Sequence, residues 1–525
     1  MFGSTYVDAV DGFGKSLPNR VAFRNSAQES LTYRELSERS NALALWLQNE
    51  SGLRERMPVV VFGHKSPYML VAIMACAKSG HPYVPIDVVY PPSRIANIVS
   101  QLEDTLIIDT TSDARVADEA VTSLGKRIVD AGQLASICAT LTTDEAVSKL
   151  SGTDTKETLY IIFTSGSTGN PKGVEVSVEC VDHFLAWLDD IYTFADEGPR
   201  TWFNRAAYSF DLSVTDLVCA LAHGDTCFAL EAEAECSLAA TFEALGASGM
   251  SDWVSTPSFL DQCLADESFG PDLLPDLRRM LFVGETLRPQ TVREAKRRFP
   301  ELAVYNGYGP TESCDFVSLC EITQEMVVDD RPLPVGYAMA GTELVVLDPE
   351  TLERVPDGQA GELFIVGPTV AKGYYGRPDL TEAAFASCPV EVTRGRKSYR
   401  TGDEMARGAD GLYYFHGRLD LQIKLHGFRI ELGDIESALS ALPEVQMAAV
   451  VPVSRAGQIH HLCACVVVRE GVAESGLRLT RRLKSALVES IPAYMVPTQF
   501  KYLDELPLNN NGKVDRKSLV QALGS

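Results

Sequence analysis

Ten consecutive residues carry the densest chemistry in the chain: Thr164, Ser165, Gly166, Ser167, Thr168, Gly169, Asn170, Pro171, Lys172 and Gly173. Gly166, Gly169 and Gly173 let a backbone turn tightly and approach a ligand closely. Hydroxyls at Thr164, Ser165, Ser167 and Thr168, backbone N–H groups and the charge of Lys172 together make a concave anion cradle, suited to nucleotide phosphates. The run is not a Walker loop, in which Gly-Lys is followed by Ser or Thr opening a helix; here Lys172 is followed by Gly173 and Val174. Taken alone, a plain Ser/Gly surface loop is the other reading.

The loop needs an element to position it. Leu159–Phe163 is apolar and rich in β-branched and aromatic types, which predicts a buried strand running straight into it. Trp253–Phe259 and Met280–Leu287 predict strands ending in turns, the place where open α/β sheets hold ligands. The second turn carries Gly284, Glu285 and Thr286. Asn306-Gly307-Tyr308-Gly309-Pro310-Thr311-Glu312 is a further polar turn: Tyr308 offers an aromatic face for adenine, Thr311 a hydroxyl for phosphate, and Glu312 a hard oxygen ligand for Mg²⁺. Asp211, in Phe210–Leu217, is an acid in an apolar neighbourhood. It reads as a helix N-cap, or as a buried carboxylate awaiting a cationic partner.

Size and composition bound the rest. A chain of 525 residues, 45% apolar, predicts two or more domains with large cores. Thr32 predicts the N-cap of an amphipathic helix, and Tyr68–Lys78 a helix ending near Gly80. Alternating helices and buried strands predict an α/β architecture. No apolar run reaches the length of a membrane span, the N-terminus lacks a signal-peptide pattern, and the twelve Cys form no Cys-x-x-Cys pair, so a cytoplasmic protein is expected. Cys463 and Cys465 are expected to share a core face. A net charge of -24 argues against nonspecific nucleic-acid binding.

Thr164–Gly173 resembles the phosphate-loop signature of the adenylate-forming superfamily, which contains acyl-CoA synthetases, luciferases and nonribosomal-peptide adenylation domains. Asn306–Glu312, Tyr399–Asp403, Gly417–Glu431 and Leu506–Asp515 resemble its other signatures. The resemblance spans nearly the whole chain. It implies a large N-terminal ATP- and amino-acid-binding domain over residues 1–418, with parallel sheets, helices and a β-rich subdomain. A small mobile α+β lid would follow over 419–525. It further implies ATP and Mg²⁺ as cofactors, a nucleotide site built from the loop with Gly284, Glu285, Thr286, Asn306, Tyr308, Gly309, Thr311, Asp403 (on ribose) and Arg418, and Lys513 as catalytic lysine alongside Glu312 and Thr168. Asp420 matches the hinge, and Gly427 would lie near the pantetheine path. Phe210-Asp211 matches the amino-acid-activating members, in which the Asp holds the substrate α-ammonium.

Ser209–Val214, Ser255–Phe259, Gly417–Gly427 and the end from Ala493 to Asp515 resemble the D-alanine–carrier protein ligases within the superfamily, and the chain starts and stops as a free-standing ligase of that kind does. The implied activity is formation of an aminoacyl-adenylate and transfer to the phosphopantetheine thiol of a carrier protein. By motif register the substrate pocket comprises Asp211, Leu212, Thr215, Ser255, Leu281, Val283, Gly307, Asp315, Phe316 and Lys513. Gly307 is expected to make room and Asp315 to add a second carboxylate, so two substrates stay open: an amino acid larger or more polar than alanine, or alanine itself with Asp315 facing solvent. An acyl-CoA ligase, which has no use for Asp211, and a non-catalytic homologue are the alternative classes. Arg478, Arg481, Arg482 and Lys484 form a basic cluster that is either a solvated helix face or a docking surface for an acidic carrier.

Overall fold

A computed structural model describes residues 5–111, 119–150, 152–165, 170–192, 198–386, 388–420, 422–455, 458–469, 472, 476–507 and 514–523. Among the described residues two large sheets form the body. One runs, edge to edge, Gly373–Tyr374, Lys172–Ser177, Thr158–Thr164, Tyr83–Ile86, Val59–Phe62, Leu106–Asp109 and Arg127–Val129, the last five parallel. The other runs Tyr337–Ala338, Ser318–Glu321, Ala303–Tyr308, Arg279–Phe282, Asp252–Ser255, Thr201–Asn204, Thr226–Ala229, Val21–Asn25 and Ser30–Thr32, parallel through its six central strands. The strand Thr158–Thr164 is buried along its whole length, as its unbroken apolar run requires.

Local signals are honoured where they are strong. Thr32 caps Tyr33–Asn49 in a capping box with Glu35. Pro67–Ser79 closes on Gly80 at φ 78°, a left-handed cap suited to glycine. The polar stretch Thr142–Thr158 contains the short helix Asp144–Val147, none of whose residues is buried, and it buries Thr153 and Thr158.

A β-rich subdomain follows: an antiparallel sheet of Glu343–Leu347, Gly361–Val366, Ser398–Arg407 and Tyr413–Arg418. The chain leaves this sheet at Arg418. Beyond it lie the hairpin Gln422–Leu425/Phe428–Glu431 and a sheet of Val445–Arg455, Gln458–Val468 and Gln499–Leu503 packed with the helices Leu432–Ser440, Leu477–Val488 and Arg516–Leu523. Side chains of this small sheet alternate between two cores. Val450, Leu462, Ala464 and Val466 pack with Leu425 and Ile430 of the hairpin. Ala449, Val451, Cys463, Cys465 and Val467 pack on the opposite face with Leu506, Val514 and Leu519. Cys463 and Cys465 therefore serve the core, as their spacing implies. No helix among the described residues is long and apolar enough to cross a membrane.

Candidate active site

Both large sheets point the carboxyl ends of their parallel strands at one cavity of about 270 Å³. Thr164 and Ser165 reach it from one sheet; Ser255, Val283 and Thr311 reach it from turns of the other. Asp403 and Arg418 come from the β-rich subdomain, and Lys424, Gly427 and Arg429 from the lid hairpin. Phosphate-loop residues and Asp211 thus share one enclosure, as an acyl-phosphate chemistry requires.

Asp211 is half-buried at the start of a helix and faces the cavity. It is the N-cap of Leu212–His223, its carboxylate accepting from the Leu212 N–H at 3.1 Å, and it lines the cavity with Leu212. Burial raises its pKa, opposed by a hydrogen bond from Thr311 and by the charges of Lys424 and Arg429. Asp315 also lines the cavity and is only 2% exposed, so it does not face solvent. The Thr215 hydroxyl donates to its Oδ2. Burial and the neighbouring Asp211 push the Asp315 carboxyl well above the usual range.

The remaining pocket positions divide. Ser255 and Val283 line the cavity. Leu281 and Phe316 are core residues behind it, the Phe316 ring packing edge-on against Phe184 at 4.9 Å and Trp187 at 5.6 Å. Gly307 does not make the expected room: a Cβ there would lie 3.0–3.3 Å from Ser318 O, Leu319 and Phe316, which already fill the space. Gly309 is required where it stands, because a Cβ would sit 2.3 Å from the Phe316 backbone.

Glu312 is fully buried. Tyr374 donates to its Oε1 at 2.7 Å, Lys172 stands 3.5 Å away, and Arg429 donates to its Oε2 at 2.6 Å. Burial alone would raise its pKa, but Arg429 and Lys172 hold it well below the usual carboxylate range. Lys172 also meets the Tyr374 hydroxyl at 3.1 Å, so its ammonium supports Glu312 from behind. Of these partners only Arg429 belongs to the lid. Without Arg429, Oε2 of this buried carboxylate would be an oxygen donor of the kind a hard cation such as Mg²⁺ takes.

Asp403 is held by two groups: the Tyr308 hydroxyl donates to Oδ2, and Arg418 donates to Oδ1 at 2.8 Å. The Tyr308 ring lies buried 6.1 Å from Phe415, in the core of the β-rich subdomain. Arg418 also grips Asp420, whose Oδ1 accepts from the Gln422 N–H at 3.0 Å, so the proposed hinge residue caps the start of the hairpin. Asn306 is structural in this state, donating to Pro334 O at 2.7 Å, and Thr286 is exposed. Glu285 joins the two domains, accepting from the Gly427 N–H at 2.7 Å and the Ser258 N–H at 3.1 Å. Gly166, Ser167, Thr168, Gly169 and Lys513 lie outside the described residues.

Several site residues escaped the sequence reading. Arg429 reaches Glu312 and, through its carbonyl, accepts from the Ser165 hydroxyl at 3.1 Å. Phe428 stacks on Tyr494 at 3.8 Å and 7°, with Phe210 edge-on at 5.0 Å. Lys424 is half-buried beside Asp211 and Asp403; burial lowers its pKa while those two acids oppose the shift. All three lie in the Gly417–Glu431 stretch, but Glu312, Ser165, Phe210 and Asp211, which they meet, all lie more than a hundred residues earlier in the chain. In the basic cluster, Arg482 pairs with Glu444 and Lys484 donates to Thr498 O, so both are engaged by the lid itself.

The model of the AMP-binding enzyme family matches residues 12–375, and that of its C-terminal domain residues 434–513. The chain is 39% identical to a D-alanine–D-alanyl carrier protein ligase from Bacillus licheniformis, covering 98% of this chain and 99% of the relative. It is 38% identical to the protein of the same name from Bacillus velezensis, covering 98% of each. Among solved structures it is similar to a nonribosomal peptide synthetase protein containing adenylation and carrier domains, at 26% identity and a TM-score of 0.78, covering 99% of this chain and 97% of the other. The Vibrio cholerae adenylation domain AlmE, in complex with glycyl-adenosine-5'-phosphate, shares the fold at 23% identity and a TM-score of 0.81, covering 99% and 97%.

Proposed function

The chain belongs to the AMP-binding enzyme family, and from that premise we propose an ATP-dependent ligase that activates an amino acid as its adenylate and passes it to the thiol of a carrier protein. The observation that carries this reading is Asp211: a carboxylate in the wall of the cavity that also holds Thr164, Ser165 and Thr311. An amino acid supplies the α-ammonium that such an acid needs, whereas a simple carboxylic acid leaves it without a counter-charge. The acyl-CoA ligase reading fails on the same residue.

In the first half-reaction the substrate carboxylate attacks the α-phosphorus of ATP; an O–P bond forms and pyrophosphate departs. Asp211 orients the amino acid by its ammonium group. Thr164, Ser165 and Thr311 place donors beside the phosphates, where preorganised groups stabilise developing charge. A Mg²⁺ held by Glu312 and the triphosphate would neutralise phosphate charge. Asp403 would take the ribose hydroxyls, with Arg418 beside it.

The lid position described here belongs to the second half-reaction. Gly427 and Arg429 occupy Glu285, Ser165 and Glu312, groups that the triphosphate needs. Meanwhile the chain on either side of 508–513 packs on the lid face away from the hairpin. Turning the lid about Asp420 exchanges hairpin for loop and brings Lys513 to the reacting carboxylate. With the hairpin in, the carrier thiol attacks the adenylate carbonyl; a C–S bond forms and AMP leaves. The test is amino-acid-dependent ATP–pyrophosphate exchange followed by loading of a phosphopantetheinylated carrier. Exchange supported by no amino acid would overturn the reading.

A further inference from the structure

We propose that Asp315 selects the substrate, and that the substrate is a short α-amino acid bearing a second amine on its side chain. This rests on the amino-acid-activating reading above. Asp315 is held in place by more than one constraint. Cys314 and Asp315 are consecutive non-glycine residues in left-handed backbone, at φ 62° and 69°. The segment is pressed on Gly309, where a Cβ would come within 2.4 Å of Asp315 O. Oδ2 takes the Thr215 hydroxyl, and Oδ1 accepts no hydrogen bond from a described residue. The carboxylate lines the cavity it shares with Asp211.

Two carboxylates that repel each other in a buried site need two cations to ionise together. The substrate α-ammonium satisfies Asp211. Lys424, a lid cation whose charge acts on both acids, would leave when the hairpin withdraws for adenylation. A second ammonium on the substrate would then supply the charge that lets Asp315 ionise beside Asp211. Val283 lines the cavity, Leu281 and Phe316 are packed into the core and do not line it, and Leu319 and Phe316 take the space beside Gly307, so nothing here opens a deep side-chain channel. The spacer proposed is therefore short, one or two methylenes between the α-carbon and the second amine, as in 2,3-diaminopropionate and 2,4-diaminobutyrate.

The experiment is pyrophosphate exchange by the full chain, with both enantiomers of these two acids, ornithine, alanine, serine and homoserine, and glycine. The wild type is expected to favour a short diamino acid over alanine and over its hydroxyl counterpart by about tenfold or more in kcat/KM, and Asp315→Asn to cut the diamino-to-alanine ratio by about 100-fold, as loss of a buried charge partner does. Highest activity with alanine, glycine, serine or homoserine overturns the proposal, as does an unchanged ratio in Asp315→Asn. If that variant fails to fold, the wild-type ranking decides. Activity with alanine alone refutes this inference and leaves amino-acid activation standing; activity with no amino acid refutes both.

Discussion

Arg429 of the lid hairpin donates to Glu312 of the body at 2.6 Å, across the boundary between the two domains. In the proposed cycle the same carboxylate would face Mg²⁺ and phosphate in the adenylating state, one acid serving two lid positions in turn. Because Arg429 and Lys172 depress its pKa, the contact contributes stability that is fully present above the ordinary glutamate range and is lost as pH falls toward the lower folded value. Below about pH 4.5, apparent melting of the wild type is expected to fall more steeply than that of Arg429→Ala. Parallel pH profiles for the two proteins would contradict the pairing.

Asp211→Ala is expected to lower amino-acid-dependent kcat/KM by about 100-fold or more, because the substrate ammonium loses a charge-assisted partner in a desolvated pocket. Calorimetric binding of ATP measures the nucleotide half of the site separately and is expected to survive. Equal loss of ATP binding would make Asp211 a structural cap only.

Gly427 sits at φ 84°, and a Cβ there would meet Thr256 Cγ2 at 2.6 Å. Gly427→Ala is therefore expected to obstruct docking of the hairpin and to lower carrier loading relative to pyrophosphate exchange, by about tenfold for a strain on the order of 1–2 kcal/mol. A fall of both activities in step would contradict a role confined to the second half-reaction.

Tyr494 holds the hairpin by stacking on Phe428, and Phe210 of the body completes the aromatic cluster. Such pairs contribute about 0.5–1.5 kcal/mol beyond burial. Tyr494→Ala is expected to slow loading by roughly threefold to tenfold relative to exchange. Single-turnover transfer from preformed adenylate measures it, and an unchanged transfer rate would remove the latch.

Much of this was legible in the chain because the signals are local. Thr32 announces a cap by its own spacing to Glu35, and the Leu159–Phe163 run announces a buried strand that ends at the loop. Asp211 declared its cap, since a carboxylate before an apolar helical run caps the helix, and from that helix start it also lines the cavity. What failed was pairwise and distant. Gly307 looked like space, but Phe316 and Leu319 fold back into it; that depends on how a later turn packs. Arg429 lies in the Gly417–Glu431 signature, and nothing near it in sequence names Glu312 as its partner. Tyr308 packs against Phe415 and donates its hydroxyl to Asp403, two contacts that nothing near it in sequence names.

The central claim is amino-acid activation at Asp211 with delivery to a carrier, and paired pyrophosphate-exchange and carrier-loading assays on the wild type, Asp211→Ala and Lys513→Ala test it most directly. The account predicts exchange with at least one amino acid, its loss in both variants, and a thioester on the phosphopantetheinylated carrier only when that amino acid and ATP are present. Exchange driven by a simple carboxylic acid, with thioester formed on free coenzyme A and no response to any amino acid, would contradict it.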